Sequence, residues 1–131
     1  MIYTYSLTTD KEAFYYITDL VRDAVEKSGV KNGVALIFCP HTTASITINE
    51  NADEFVPQDI LLGAREAFPV RPEFKHDEGN SACHIKCSVF GASETVIIED
   101  GKLILGCWQD VYFAEFDPPR SRKVHIKVIE C

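Results

Sequence analysis

Three of the four histidines stand among other polar residues: His41, His76 and His84. His41 heads the run His41-Thr42-Thr43-Ala44-Ser45, directly after an apolar stretch and Pro40. An imidazole can move a proton near neutral pH, and neighbouring hydroxyls can hold phosphate oxygens or water. The same run also suits a polar turn whose Thr and Ser oxygens satisfy their own backbone. Asn49-Glu50-Asn51-Ala52-Asp53 follows, with two carboxylates and two amides in five positions. Asn51 and Asp53 are candidates for substrate contact and acid–base work. They are equally suited to capping a helix that starts there.

His76 and His84 have Asp77, Glu78 and Asn80 between them. Imidazoles and carboxylates are the usual nitrogen and oxygen ligands of zinc or a similar divalent ion. Their spacing matches neither a zinc ribbon nor HExxH. Cys83 and Cys87 admit a Cys/Cys/His zinc site instead. In a helix, however, the two thiols share a face and His84 points elsewhere, which fits buried thiols acting as small hydrophobes. His125 lies in an alternating strand and reads as a surface or internally satisfied residue. Gly106-Cys107-Trp108-Gln109 contains the only Trp, either a core aromatic or a flat wall for a ring-shaped ligand. Arg120 can hold a phosphate or carboxylate in a bidentate fork, or pair on the surface with Asp117.

The elements that must position these groups follow from pattern. Ile2 to Thr9 alternates aromatic and β-branched residues and predicts a strand. Asp10 then offers an N-cap for a helix with the stripe Phe14, Ile17, Leu20, Val21, Ala24 and Val25, ended by Gly29. Val34 to Cys39 is continuously apolar and predicts a strand covered on both faces, stopped by Pro40. Ser45 to Asn49 predicts a half-buried strand. Phe55, Ile60, Leu61, Ala64 and Phe68 predict a second helix with Pro57 near its start. His84 to Gly91 fits a helical turn or a short strand. Thr95 to Glu99, the Asp100-Gly101 turn and Lys102 to Leu105 read as a hairpin. Asp110 to Phe116 and Lys123 to Glu130 complete about seven strands. Two main helices with hairpin-linked strands predict an α+β fold in one domain spanning residues 1–131.

Composition narrows the function classes. Twenty acidic against 13 basic residues give a formal charge of −7, which argues against a nucleic-acid-binding surface. No apolar run has the length of a membrane span, and no signal-like segment opens the chain. Five cysteines without a CxxC pair suggest reduced thiols, hence a cytoplasmic protein.

In combination, these blocks resemble the YjbQ-like family, whose members are widely labelled secondary thiamine-phosphate synthases. The resemblance runs from the first strand to Lys127. It rests on His41 to Ser45, Asn49 to Asp53, Gly79-Asn80 leading to His84-Ile85-Lys86, Gly101 to Gln109, and Glu115 to Arg120. Cys107 and Cys83 depart from the usual Thr and Ala. The resemblance implies a compact fold with a curved, largely antiparallel sheet and a homotrimer with sites near subunit contacts. It also implies synthesis of thiamine phosphate from a thiazole phosphate and a hydroxymethylpyrimidine pyrophosphate. On this reading His41, Asp53 and His84 are catalytic. Thr42, Thr43, Asn51, Asn80, Trp108, Gln109 and Arg120 bind a small phosphorylated metabolite. His41, His76 and His84 hold a divalent metal, zinc or magnesium, or a phosphate. The expected outcome is that the three imidazoles reach one cleft; coordinates placing their rings more than about 10 Å apart, even across protomers, remove any shared ligand at bond lengths near 2 Å.

Overall fold

The computed structural model describes residues 1–131. Strand β1 (Ile2–Thr9) is followed by β2 (Ala13–Tyr16), α1 (Thr18–Ser28), β3 (Gly33–Phe38) and β4 (Ala44–Glu50). Helices α2 (Phe55–Ala67) and α3 (Ser81–Phe90) come next. Strands β5 (Ser93–Glu99), β6 (Lys102–Leu103), β7 (Gln109–Glu115) and β8 (Arg120–Glu130) complete the chain. The strands form two antiparallel sheets, in the orders β1-β8-β3-β5-β6 and β2-β7-β4. The fold is α+β, as expected, with three helices and eight strands. No helix is long and apolar enough to cross a membrane.

The main core lies between the two sheets and α1. It joins Val21 and Val25 of α1, Ile37, Val124 and Ile126 of the larger sheet, and Ile46 and Phe113 of the smaller. Leu61 of α2 packs with Ala114 and Phe116 on the other side of β7, beside Phe14, Cys83 and Phe90. β7 is therefore covered on both faces, which is why Val111 to Phe116 is buried at every position. That role was expected of Val34 to Cys39. Instead β3 buries Ala35 and Ile37 inward, while Phe38 is exposed on the outer face. Ile2, Ile97 and Ile129 are exposed as well.

The helix expected from Asp10 begins eight residues later. Ala13-Phe14-Tyr15-Tyr16 pairs with β7 instead, because aromatic side chains suit a pleated, half-buried surface. Asp10 caps nothing: its carboxylate accepts from the Tyr15 hydroxyl at 2.7 Å. Gly29 ends α1 in the left-handed conformation, as its type predicted. Asp100 and Gly101 both have positive φ and close the β5–β6 hairpin. All five thiols are free.

Three connections pass from one sheet to the other at the same end of the molecule. The chain leaves β1 for β2, leaves β3 for β4 through Cys39 to Thr43, and leaves β7 for β8 through Phe116 to Pro119. The last two connections touch, since the Phe116 N–H donates to the Thr43 carbonyl at 3.2 Å. Register in the larger sheet depends on close approach at Gly33, where an added Cβ would sit 1.9 Å from the Ile129 carbonyl oxygen. Gly33→Ala is expected to destabilise the protein by about 2 kcal/mol by forcing that backbone apart. Urea denaturation with an unchanged m-value checks this.

Candidate functional site

The connection between β3 and β4 lifts His41, Thr42 and Thr43 clear of the strand ladders, because Pro40 cannot donate to one. Asn80 is the N-cap of α3 and His84 closes its first turn, and Arg120 and Arg122 come from the start of β8. With Pro40, His76 and Glu78 they line one cleft of about 380 Å³, near the small end of the range for small-molecule sites. Apart from Pro40, every lining side chain is polar or charged. The His76 and His84 rings meet edge to face with centroids 5.2 Å apart. All three expected imidazoles thus reach one cleft.

Beneath the cleft lies a buried network. Glu115 is fully shielded from solvent and Arg122 nearly so. Arg122 Nε donates to Glu115 Oε1 at 2.7 Å and Nη2 to Oε2 at 2.5 Å, a bidentate fork. Nη2 also donates to Thr43 Oγ1 at 2.8 Å. The Thr9 hydroxyl donates to Glu115 Oε1 at 2.7 Å, and the Asp117 N–H donates to Oε2 at 2.9 Å. Burial alone would raise the Glu115 carboxyl, but these donors, led by Arg122 and Thr9, hold it below the usual glutamate range. Sequence reading did not single out this pair for a role. A signal existed: Arg122 occupies an inward position of the β8 alternation with Val124, Ile126 and Val128, and Glu115 interrupts a buried run. A charge at an inward position needs a counter-charge.

Other groups on the cleft are pinned as well. Arg120 Nη2 donates to Asp117 Oδ2 at 2.6 Å, and its Nε to the Asp117 carbonyl at 3.0 Å. The ion pair offered above as an alternative to ligand binding therefore exists, and Arg120 still lines the cleft. Nη1 of both arginines has no partner within the protein. The His41 Nε2 accepts the Lys123 N–H at 2.9 Å, so Nδ1 carries the ring proton. Burial, aided by the Arg122 charge, lowers the His41 pKa and favours that neutral form.

The side chains of one chain assemble no metal site. One His41 nitrogen is occupied by the backbone and the other bears hydrogen. No three His, Cys, Asp or Glu side chains anywhere in the molecule are placed to hold an ion. The Cys/Cys/His alternative is not assembled either. Cys83 donates to the Phe116 carbonyl at 3.0 Å and Cys87 to the Ala44 carbonyl at 3.1 Å, while His84 lines the cleft.

Four expected site residues are not brought to this cleft. The seven residues of β4, at about 3.3 Å each, separate its two ends by roughly 20 Å. Asp53 accepts the Phe55 N–H at 2.9 Å, in the turn just ahead of α2, whose N-cap is Glu54. Asn51 Nδ2 donates to Asp110 Oδ2 at 3.1 Å. Gln109 Oε1 accepts the Gly106 N–H at 2.8 Å, closing a turn. Trp108 is 64% exposed, beside Ile48, Asn49 and Glu50. His125 takes no part in the cleft, its Nδ1 lying 2.8 Å from Thr4 Oγ1.

The model of the UPF0047 protein YjbQ-like family matches residues 3–131. The chain belongs to this family. The UPF0047 protein YugU of Bacillus subtilis is 50% identical over 93% of this chain and 93% of its own. A UPF0047 protein of Methanocaldococcus jannaschii is 48% identical over 98% and 94%. Among solved structures, a YjbQ/UPF0047 protein of Clostridium acetobutylicum superposes with a TM-score of 0.94 at 55% identity, covering 97% of this chain and 99% of that one. A YbjQ-like protein of Sulfolobus solfataricus reaches 0.94 at 32% identity, over 100% and 97%. These names state no activity, thiamine-phosphate synthesis included.

The buried pair generates a stability prediction. Glu115→Gln leaves the Arg122 charge without its partner and is expected to cost about 3–5 kcal/mol, a fall in Tm of roughly 10 °C or more. Because folding lowers the Glu115 pKa, its contribution is complete above the ordinary glutamate range and is lost as pH falls through the folded value. Thermal melts from pH 7 to pH 3 should therefore show a smaller acid-dependent loss in Glu115→Gln than in the wild type.

Proposed function

We propose that the cleft binds the phosphate of a small phosphorylated metabolite. One observation carries this reading: Arg120, Arg122, His76 and His84 converge with Thr42, Thr43 and Asn80 on a single, almost wholly polar cleft. Guanidinium edges and hydroxyls are matched to phosphate oxygens. The first turn of α3 borders the same space and adds the positive end of a helix dipole. The overall charge of −7 does not oppose this, since one anion needs only a local field.

The reaction we assign to such a site is thiamine-phosphate synthesis, with support from the family resemblance. A thiazole nitrogen attacks the pyrimidine methylene carbon, and the carbon–oxygen bond to pyrophosphate breaks with its electron pair leaving on oxygen. The attacking nitrogen needs no general base. Help of use here is stabilisation of the departing oxygens, which the charges of Arg120 and Arg122 and the ring N–H donors of His76 and His84 supply. The second reading is a non-catalytic phosphometabolite-binding protein. It is favoured by the lining of the cleft of one chain, which holds no Phe, Tyr or Trp face for a pyrimidine. A homotrimer is the assembly proposed for either reading. The exposed Ile2, Phe38, Ile97 and Ile129 on the larger sheet support an interface there.

Isothermal titration with inorganic phosphate tests the binding reading. Arg120→Ala and His84→Ala are each expected to weaken binding about tenfold, with circular dichroism unchanged. Undiminished affinity in both variants would remove the assignment. Pyrophosphate release from the two named substrates separates enzyme from binder, and light scattering reads the oligomer.

A further inference from the structure

A second cleft, of about 530 Å³, lies between β2 and the first half of α2, a size usual for a small organic ligand. It shares no lining residue with the phosphate cleft. Its floor is aromatic. Phe14 and Tyr16 alternate onto the sheet face that α2 covers, and Tyr112 stands opposite Tyr16 in the register with β7. The Phe14 and Tyr112 ring centroids are 5.5 Å apart. Tyr16 supplies the accessible ring, being 42% exposed. Its hydroxyl donates to Asp19 Oδ1 at 3.2 Å and accepts from Arg22 Nη1 at 3.2 Å, which pins the ring by its far edge.

The wall is α2, whose Glu54, Gln58 and Leu61 recur at helical spacing and line the cleft. Leu61 packs with Ala114 and Phe116, and Arg65 pairs with Glu12, which also binds Lys86. Glu54, two turns before Leu61, therefore stands at the opposite end, with Tyr16, Tyr112 and Asn51. The charges divide the same way. Glu12 is committed to Arg65 and Lys86, and Lys11, the one cation on the lining, precedes it in the chain. Glu54 is exposed and pairs with no cation. Asn51 holds Asp110 close by through its 3.1 Å bond. The Tyr112 hydroxyl, donating to the Glu50 carbonyl at 3.2 Å, is pushed above its ordinary range by burial and then by Asp110, Tyr16 and Glu50. Carboxylates and the negative faces of aromatic rings thus meet at one end of one cleft, and both attract positive charge. We propose that this cleft binds an organic cation, a quaternary or protonated nitrogen on a compact apolar body, over the Tyr16 ring and beside the Glu54 carboxylate. Nothing in this assignment depends on the phosphate cleft.

The test is titration calorimetry of the full chain at neutral pH with two probes of nearly one shape. Phenyltrimethylammonium carries a fixed positive charge, and N,N-dimethylaniline is uncharged under those conditions. The cation is expected to bind about tenfold more tightly than the neutral ring. Glu54→Gln is expected to weaken the cation about fivefold and leave the neutral probe unchanged, and Tyr16→Leu to weaken the cation about fivefold. Equal affinities for the two probes in the wild type overturn the selection for charge. A cation affinity that neither variant lowers overturns the placement over Tyr16 and Glu54. No binding of the cation overturns the site as a whole. Both substitutions are at exposed positions, and if one variant does not fold, the other decides the placement while the wild-type comparison decides the charge selection.

Discussion

The Glu115–Arg122 pair is the interaction on which the architecture of this end of the molecule depends. β7 and β8 belong to different sheets, yet the chain passes between them within a few residues. A bidentate bond between the last residue of β7 and an early residue of β8 fixes that corner. Thr9 ties the end of β1 to the same carboxylate, and Thr43 ties the connection from β3 to β4 to the same guanidinium. One buried pair thus serves three places where the chain changes sheet. Its geometry is satisfied on nearly every side, which is the condition for burying two charges without net loss.

The cleft inherits its character from that corner. Connections between sheets carry backbone and side chains that no ladder consumes, so polar residues collect there. His41 is fixed by the Lys123 N–H and Arg120 by Asp117, so two lining groups are held before any ligand arrives. Pre-positioned donors bind an anion without paying to be ordered. The opposite end of β4 has a different task. Asp53, Asn51 and Gln109 spend their polar atoms on the turn ahead of α2, on Asp110 and on a second turn.

Much of the fold was legible in the residue pattern. Alternation located β1, β4 and β8, and Gly29 and Asp100-Gly101 marked a helix end and the β5–β6 hairpin. Two readings failed for one reason. Ala13 to Tyr16 resembled the first turn of a helix because Phe14 falls in the stripe of α1, and only pairing with β7 makes it a strand. Val34 to Cys39 read as covered on both faces, but periodicity cannot say whether a second layer is present. That layer lies over β7 instead, where α2 and α3 pack.

The site divides along the same line. Residue chemistry read together with the family resemblance identified His41, Thr42, Thr43, His76, Asn80, His84 and Arg120 as groups able to hold a phosphate or metal or to move a proton. It equally admitted Asn51, Asp53, Trp108 and Gln109, since nearness along the chain was its only measure of nearness in space. The tertiary structure decided which of them share a cleft. An extended strand carries its ends about 20 Å apart, whereas the turns between sheets bring His41 and Lys123, 82 positions distant, into contact. Local propensity acts through neighbouring residues and so is written in the sequence. Convergence acts through packing of whole sheets, and it exists only once they are folded together.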